Sequence, residues 1–406
     1  MKIRFLIPIF LTCVFFNTYA QRKAVIIILD GIPADVVEKV NTPVLDEIAS
    51  QGGYTRSYQG GKKGGYSQSP TISAVGYANV ITGTWANKHN VWDNNIKQPN
   101  YNYWNVFRIA KSVNSKIQTA IYSSWTDNRT KLVGEGLPSA GNFKFDYAYD
   151  GLELDTLKIP HTKDRTYMFN IDELISKEAA THITEQAPDL SWVYLEFTDD
   201  MGHMFGDSPQ FTEAIKKADA QVGRIWNAIK EREEKFGEEW MIVITTDHGR
   251  DAATGKGHGG QSERERTTWI VTNAKALNTH FKNAATVDIA PSVLSFMKLE
   301  MPQSIREEFD GTSFLGDVSI SNLTAAKEGK KATLTWNAMK DKGMVEIKVS
   351  TTNNFKEGKA DRYKSMGKAE ISSGKYTFTL PESYTGFYKI IVVSPDNTLN
   401  RWIVKK

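Results

Sequence analysis

The stretch ITTDHGRDAATGKGHGG, residues 244–260, decides how the rest of the chain is read. The apolar run at 240–244 (WMIVI) has the length and composition of a buried strand, and Asp247-His248-Gly249 stands where that strand should end. In open α/β sheets, ligand-binding groups gather outside the carboxyl ends of strands. A Gly-rich loop then carries Asp251 and closes on His258-Gly259-Gly260. One carboxylate and two imidazoles at a strand end suit a borderline-soft divalent metal such as Zn²⁺. Asp-His-Gly alone recurs by chance, so the reading depends on the other strand ends.

Those ends repeat the theme. Residues 24–29 (AVIIIL) form an apolar, β-branched run typical of a central parallel strand, and it stops at Asp30-Gly31. Residues 192–197 read as another strand, followed by Asp199-Asp200-Met201-Gly202-His203. Between and beyond lie helical signals. Thr42-Pro43 opens a helix with Val44, Leu45, Ile48 and Ala49 on one face. Residues 73–81 read as a short helix starting at Ser73. Ser208-Pro209 opens an amphipathic helix marked by Phe211, Ile215, Ala218, Val222, Ile225 and Ile229. Further strands are expected at 117–122 and 268–271, and a further helix at 288–299.

The fold class is therefore α/β, a mostly parallel sheet flanked by helices. Residues 52–68, rich in Gly, Tyr, Ser and Lys, read as a mobile loop, and the polar stretch 123–185 as a cap or insertion. Near Gly316 the pattern changes to period two, at 332–336, 345–349, 375–379 and 388–392, which predicts a C-terminal all-β sandwich. The expected division is 21–316 for the α/β domain and 317–406 for the sandwich.

Lys2 and Arg4 precede the apolar run 5–16, and Thr18-Tyr19-Ala20 makes a cleavage site, so residues 1–20 read as a signal peptide and the chain as exported, periplasmic or extracellular. That run is too short to span a membrane. The single cysteine, Cys13, lies inside it, which leaves the mature chain no disulfide and no thiolate ligand. Any metal must be held by histidine and carboxylate. Removing Lys2 and Arg4 leaves 48 basic against 47 acidic residues, a balance that argues against nucleic acid as a specific partner.

Three Asp and three His thus collect at one sheet edge: Asp30, Asp199, His203, Asp247, His248 and His258. Six ligands suffice for two adjacent ions, which can stabilise both the attacking and the leaving oxygen of an in-line displacement. Ser73, at a helix N-terminus where backbone N–H groups favour an anion, is the candidate nucleophile. Plainer readings stand beside these. Asp30 alone also reads as a helix-entry cap. Asp200, Asp251 and Glu263 read as solvated or supporting carboxylates. His89, His161, His182 and His280 read as packing or surface residues. Thr71 is a rival hydroxyl. The aromatic run 92–107 reads as core and pocket wall or as a platform for a base or sugar, and Tyr54, Tyr58 and Tyr66 sit where a loop could gate the site.

Taken together, residues 23–316 resemble the alkaline phosphatase superfamily, and within it the nucleotide pyrophosphatase/phosphodiesterase branch. The resemblance implies two Zn²⁺ per chain, one on Asp30, Asp247 and His248 activating Ser73, the other on Asp199, His203 and His258 stabilising the leaving oxygen. It implies a covalent phosphoseryl intermediate, and a phosphoryl-binding role for Asn94 in His89-Asn-Val-Trp-Asp-Asn94. The implied substrate is a small phosphate ester or nucleotide. Two features depart from the branch: Ser73 is followed by Ala-Val-Gly rather than Phe-Pro-Asn, and Asn90 replaces the glycine after His89. Arg129 is the one candidate for the extra cation of a monoesterase. Phosphomonoesterase is the rival reading, and a secreted binding protein on an inactive scaffold is the rival of another class. The C-terminal segment resembles a fibronectin type III module.

Overall fold

The computed structural model describes residues 22–383 and 385–405, so the leader segment 1–20, with Cys13, lies outside the described residues. Strand β1 (Arg22–Leu29) is buried over seven of its eight residues and sits at the centre of the main sheet. Each fully buried Val or Ile side chain there contributes about 1.5–3 kcal/mol relative to exposure. The other strands are β2 (Gly53–Tyr58), β3 (Thr119–Ser123), β4 (Tyr147–Tyr149), β5 (Leu190–Leu195), β6 (Glu239–Thr245) and β7 (Thr267–Thr272). They order as β2-β7-β6-β1-β5-β3-β4, and only the β7 pairings are antiparallel.

Register is what builds the site. Leu29 of β1 lies opposite Leu195 of β5, and Ile28 opposite Thr245 of β6. The residues that follow each strand therefore emerge side by side at one carboxyl edge. One face of the sheet packs against the helices Ser73–Thr82, Val106–Val113 and Ile289–Phe296. The other packs against Pro43–Gln51, Thr166–Gln186 and Pro209–Phe236.

Two expectations need correction. Residues 52–68 are not wholly loop: 53–58 form edge strand β2, paired with β7, with Thr55 and Ser57 turned inward. An edge strand that buries only small hydroxyl side chains lacks the apolar alternation by which strands are recognised. Nor do residues 123–185 lie apart as a cap. Their second half is the Thr166–Gln186 helix, whose Met168, Ile171, Ile175, Ala179 and Ile183 join the sheet core beside Pro209–Phe236.

The C-terminal strands are β8 (Ile320–Glu328), β9 (Lys331–Ala338), β10 (Met344–Ser350), β11 (Lys364–Glu370), β12 (Lys375–Thr379), β13 (Tyr388–Val393) and β14 (Thr398–Ile403). They form two antiparallel sheets, β12-β9-β8 and β11-β10-β13-β14, which share one core including Leu334, Trp336, Ile347, Ile390 and Leu399. A buried ionic network ties this sandwich to the α/β domain. Lys88 donates to Asp310 Oδ1 (2.8 Å), Asn400 Oδ1 (2.7 Å) and the Glu308 carbonyl (2.6 Å). Lys389 donates to Glu308 Oε1 (2.5 Å) and Asp361 Oδ2 (2.7 Å). Among the described residues, no helix is long and apolar enough to cross a membrane.

Candidate active site

Asp30 directly follows β1, and Asp247 and His248 follow β6, so all three emerge at the shared edge and are fully buried. The strand expected at 192–197 stops at Leu195, and Phe197 instead begins the helix Phe197–Phe205. Asp199 and His203 are thus i and i+4 on one helix face, with His203 Nε2 3.2 Å from Asp199 Oδ2. His258 comes in from the Gly-rich loop, its Nε2 3.1 Å from that of His203.

The side chains are held in states suited to metal binding. His248 Nδ1 lies 2.9 Å from the Gly249 carbonyl and His258 Nδ1 2.9 Å from the Thr71 carbonyl. A carbonyl only accepts, so both rings carry hydrogen on Nδ1 and present an unprotonated Nε2. His248 Nε2 then faces Asp247 Oδ2 at 3.1 Å and Asp30 Oδ1 at 3.5 Å, acceptor against acceptor. Those two carboxylate oxygens are buried without a hydrogen-bond partner. A cation resolves this crowding of lone pairs and negative charge, so the residues fit a divalent ion.

Within each of two groups the potential ligand atoms lie within 4.8 Å of one another: Asp199, His203 and His258 in one, and Asp30, Asp199 and His248 in the other. Asp199 belongs to both, a difference from the expected partition in which Asp247 completed the second group. Asp247 still flanks His248, but the Asp199 carboxylate reaches between the two centres.

The electrostatics are those of crowded acids. Burial, reinforced by Asp247 and Asp199, pushes the Asp30 carboxyl well up, and burial pushes Asp247 up to about 7. Burial acts on Asp199 in the same direction, but its bond to His203 and the charge of Arg250 outweigh it and hold the carboxyl low. The group around Asp30 and His248 is buried, whereas His203 is exposed and His258 half-buried, so the group they form with Asp199 opens to solvent.

Ser73 is the first residue of the Ser73–Thr82 helix, and its Oγ lies 3.3 Å from His248 Nε2. Asn94 reaches the same helix end, where its Oδ1 accepts from the Ala74 N–H at 3.0 Å. Its amide NH₂ has no partner among the described residues. Gly76 lets the helix press on the metal edge: a Cβ there would stand 2.6 Å from the Asp247 carbonyl oxygen.

Other candidates go elsewhere. Arg129 donates to Asp150 at 2.6 and 2.9 Å and to Glu135 at 2.5 Å, so its guanidinium is neutralised by two carboxylates. Thr71 Oγ1 bonds to the Gly260 carbonyl and Gly259 N–H, clipping the His258 loop. Asp200 pairs with Arg165, and Asp251 folds its own loop by accepting from the Ala253, Thr254 and Gly257 N–H groups. His89 bonds to Asn79, His182 to Tyr122 and His280 to Asp288, all as packing residues. Within the aromatic run, Tyr103 and Phe107 are core while Trp92 is exposed. Tyr54 bonds to Glu38 rather than gating anything.

Sequence reasoning missed three residues. Tyr77 and Tyr194 both donate to Asp30 Oδ2, Tyr194 at 2.6 Å, which leaves Oδ1 as the unpartnered oxygen. Arg250 is fully buried and donates to the Gly31 carbonyl (2.9 Å), the Lys256 carbonyl (3.0 Å), the Asp199 carbonyl (2.8 Å) and Asp199 Oδ1. It follows Asp247-His248-Gly249 directly in the sequence. Gly202 makes room for it: a Cβ there would fall 2.2 Å from the guanidinium.

Residues 24–296 match the family described as Type I phosphodiesterase / nucleotide pyrophosphatase. No curated protein matches the chain. Among solved structures, the phosphonate monoester hydrolase of Agrobacterium radiobacter aligns with a TM-score of 0.50 at 13% identity, covering 94% of this chain and 89% of that one. Ps i-CgsB, solved with k-i-k-neocarrahexaose, aligns at 0.51 and 13%, covering 78% and 82%. Human ectonucleotide pyrophosphatase / phosphodiesterase 5 aligns at 0.48 and 13%, covering 69% and 96%. At such identities the structural likenesses speak to the fold, which is alkaline-phosphatase-like, with the antiparallel sheets appended. The match over 24–296, more than half of the chain and spanning every residue of the site, shows that the protein belongs to the type I phosphodiesterase/nucleotide pyrophosphatase family of phosphoester hydrolases.

Proposed function

We propose that this chain is an exported two-zinc phosphodiesterase or nucleotide pyrophosphatase that uses Ser73 as its nucleophile. The α/β domain (21–316) carries the chemistry, and a fibronectin type III-like sandwich (317–406) packs against it. The observation that carries the reading is Ser73 Oγ at 3.3 Å from the hydrogen-free Nε2 of His248, on a helix end that also holds Asn94. Bound zinc ions would supply Lewis-acid charge that lowers the pKa of the serine hydroxyl and of the hydrolytic water. Asp30, Asp247 and His248 would hold one, and Asp199, His203 and His258 the other.

Ser73 Oγ, its proton released to solvent, attacks phosphorus, forming an Oγ–P bond while the bond to the leaving oxygen breaks. Asn94 NH₂ and the N-terminal turn of the Ser73–Thr82 helix hold the non-bridging oxygens. The leaving group departs through the open side, past exposed His203. Water then cleaves the Oγ–P bond and restores the hydroxyl. Diesters are favoured over monoesters because Arg129 is occupied by Asp150 and Glu135, and Arg250 is sunk beneath Asp199. Neither guanidinium is free for a second phosphate charge.

Initial rates of the zinc-loaded protein on bis-p-nitrophenyl phosphate and p-nitrophenyl phosphate test this. The diester should be preferred, and Ser73→Ala should lose at least about 10³-fold in kcat/KM. A monoester preference would move the protein to the monoesterase reading. No turnover of either ester with zinc bound would leave the binding-protein alternative.

A further inference from the structure

A cleft of about 490 Å³ lies between the α/β domain and the sandwich. One wall is the Gly-rich segment 61–67, and the other is formed by β8 and β14. Two stacked aromatic pairs line it: Tyr58 on Trp85 (5.7 Å, 28°) and Tyr66 on Trp402 (5.5 Å, 18°). Trp85 and Trp402 are buried, but Tyr58 keeps 41% of its surface exposed. An aromatic side chain fixed on one face and open on the other is a ready stacking surface.

The charge in the cleft is one-sided. Arg401 makes a single side-chain bond among the described residues, to the carbonyl of its own neighbour Asn400 at 2.6 Å, and pairs with no carboxylate. Lys62 has no side-chain partner among the described residues. Arg266 lies alongside, its NH groups held by the Gly60 and Gly61 carbonyls and by Gln261. The one carboxylate in the lining, Asp310, is already taken by Lys88 and the Trp85 N–H. The Lys88–Lys389 network beside the cleft, by contrast, pairs each buried cation with a buried carboxylate.

The neutral donors complete the set. The Tyr58 hydroxyl has no partner among the described residues. The Tyr66 hydroxyl accepts from the Trp402 N–H at 3.0 Å and keeps its own proton to donate. Burial and the charge of Asp288 push the Tyr58 phenol up, and Arg401 and Arg266 lie close enough for their charges to oppose this. We infer that this cleft is a second ligand site, distinct from the metal centre, that takes a phosphate group carried on a planar or sugar ring. Arg401 and the two phenols hold the phosphate oxygens, and the ring lies against Tyr58.

The test titrates adenosine 5′-monophosphate into the zinc-loaded, full-length Ser73→Ala protein, read by calorimetry and by tryptophan fluorescence. The expected result is a binding event that survives removal of zinc and weakens at least tenfold in both Arg401→Glu and Tyr58→Ala. Urea midpoints check that both variants remain folded. Inorganic phosphate or adenosine alone should bind at least tenfold more weakly than the monophosphate. Binding indifferent to both substitutions, or inorganic phosphate binding as tightly as the nucleotide, overturns the proposal. An additional zinc-dependent event reports on the metal centre, so the phosphodiesterase reading and the cleft stand or fall separately.

Discussion

Replacing Arg250 with methionine tests how the metal edge is held together. The guanidinium is fully buried and serves four acceptors: the carbonyls of Gly31, Lys256 and Asp199, and Asp199 Oδ1. Removing one partner of a buried ion pair costs about 3–5 kcal/mol, because the other charge is left without compensation. The metal-free Arg250→Met protein should therefore be less stable by that amount. With zinc bound the cost should shrink, since the ion returns a cation to Asp199. A charge-assisted bond contributes about 1.5–3 kcal/mol, so zinc should stabilise the variant by about that much more than it stabilises the parent. By linkage this is about a ten- to hundredfold tighter apparent zinc affinity. Urea unfolding with chelator and with saturating zinc, extrapolated linearly, measures all four corners of the cycle. Gly202→Ala, whose Cβ would fall 2.2 Å from the same guanidinium, should follow the same pattern by displacing it. A cost equal in both metal states, or larger with zinc, would refute the idea that arginine and metal share the neutralisation of Asp199.

Two further outcomes follow from buried charge. Burial pushes His89 down to about 3 from its ordinary 6.5. Between these values the unfolded chain binds a proton that the folded one refuses, so the stability present above pH 6.5 is lost as pH falls, at up to about 1.4 kcal/mol per unit. His89→Gln should accordingly lose about 2 kcal/mol less than the parent between pH 6.5 and 5 in urea titrations, and equal slopes would exclude His89 as the source. Lys389→Met strands Glu308 and Asp361, both almost fully buried, and should lower stability by about 3–5 kcal/mol. A loss under about 1 kcal/mol would mean that the network is hydrated.

The elements that carry the candidate ligands were legible because their signals are local. An apolar run ending in Asp30, a second ending in Asp247-His248, and Ser73 opening a helix each depend on residues within a few positions of one another. Parallel strands in register then bring their ends together without further specification. Edge strand β2 was not legible, because it buries hydroxyls. The helix start at Phe197 was also missed, because the apolar run continues from strand into helix without a break.

By itself, then, the sequence determined the α/β class, the C-terminal sheets and which acids and imidazoles stand at the strand ends, since periodicity and strand-end chemistry need no distant partner. Only the tertiary structure decided how those groups are used. Arg250 and Arg129 look alike in sequence, yet one meets Asp199 inside a space left by Gly202 and the other is bound by Asp150 and Glu135. Asp199 is shared between two ligand groups, and Tyr77 and Tyr194 choose which oxygen of Asp30 is left to bind. The cationic cleft exists only because residues more than 300 positions apart, Tyr66 and Trp402, stack across the seam. A side chain's charge is written in the chain, but its counter-charge is set by what folding brings within a few ångströms.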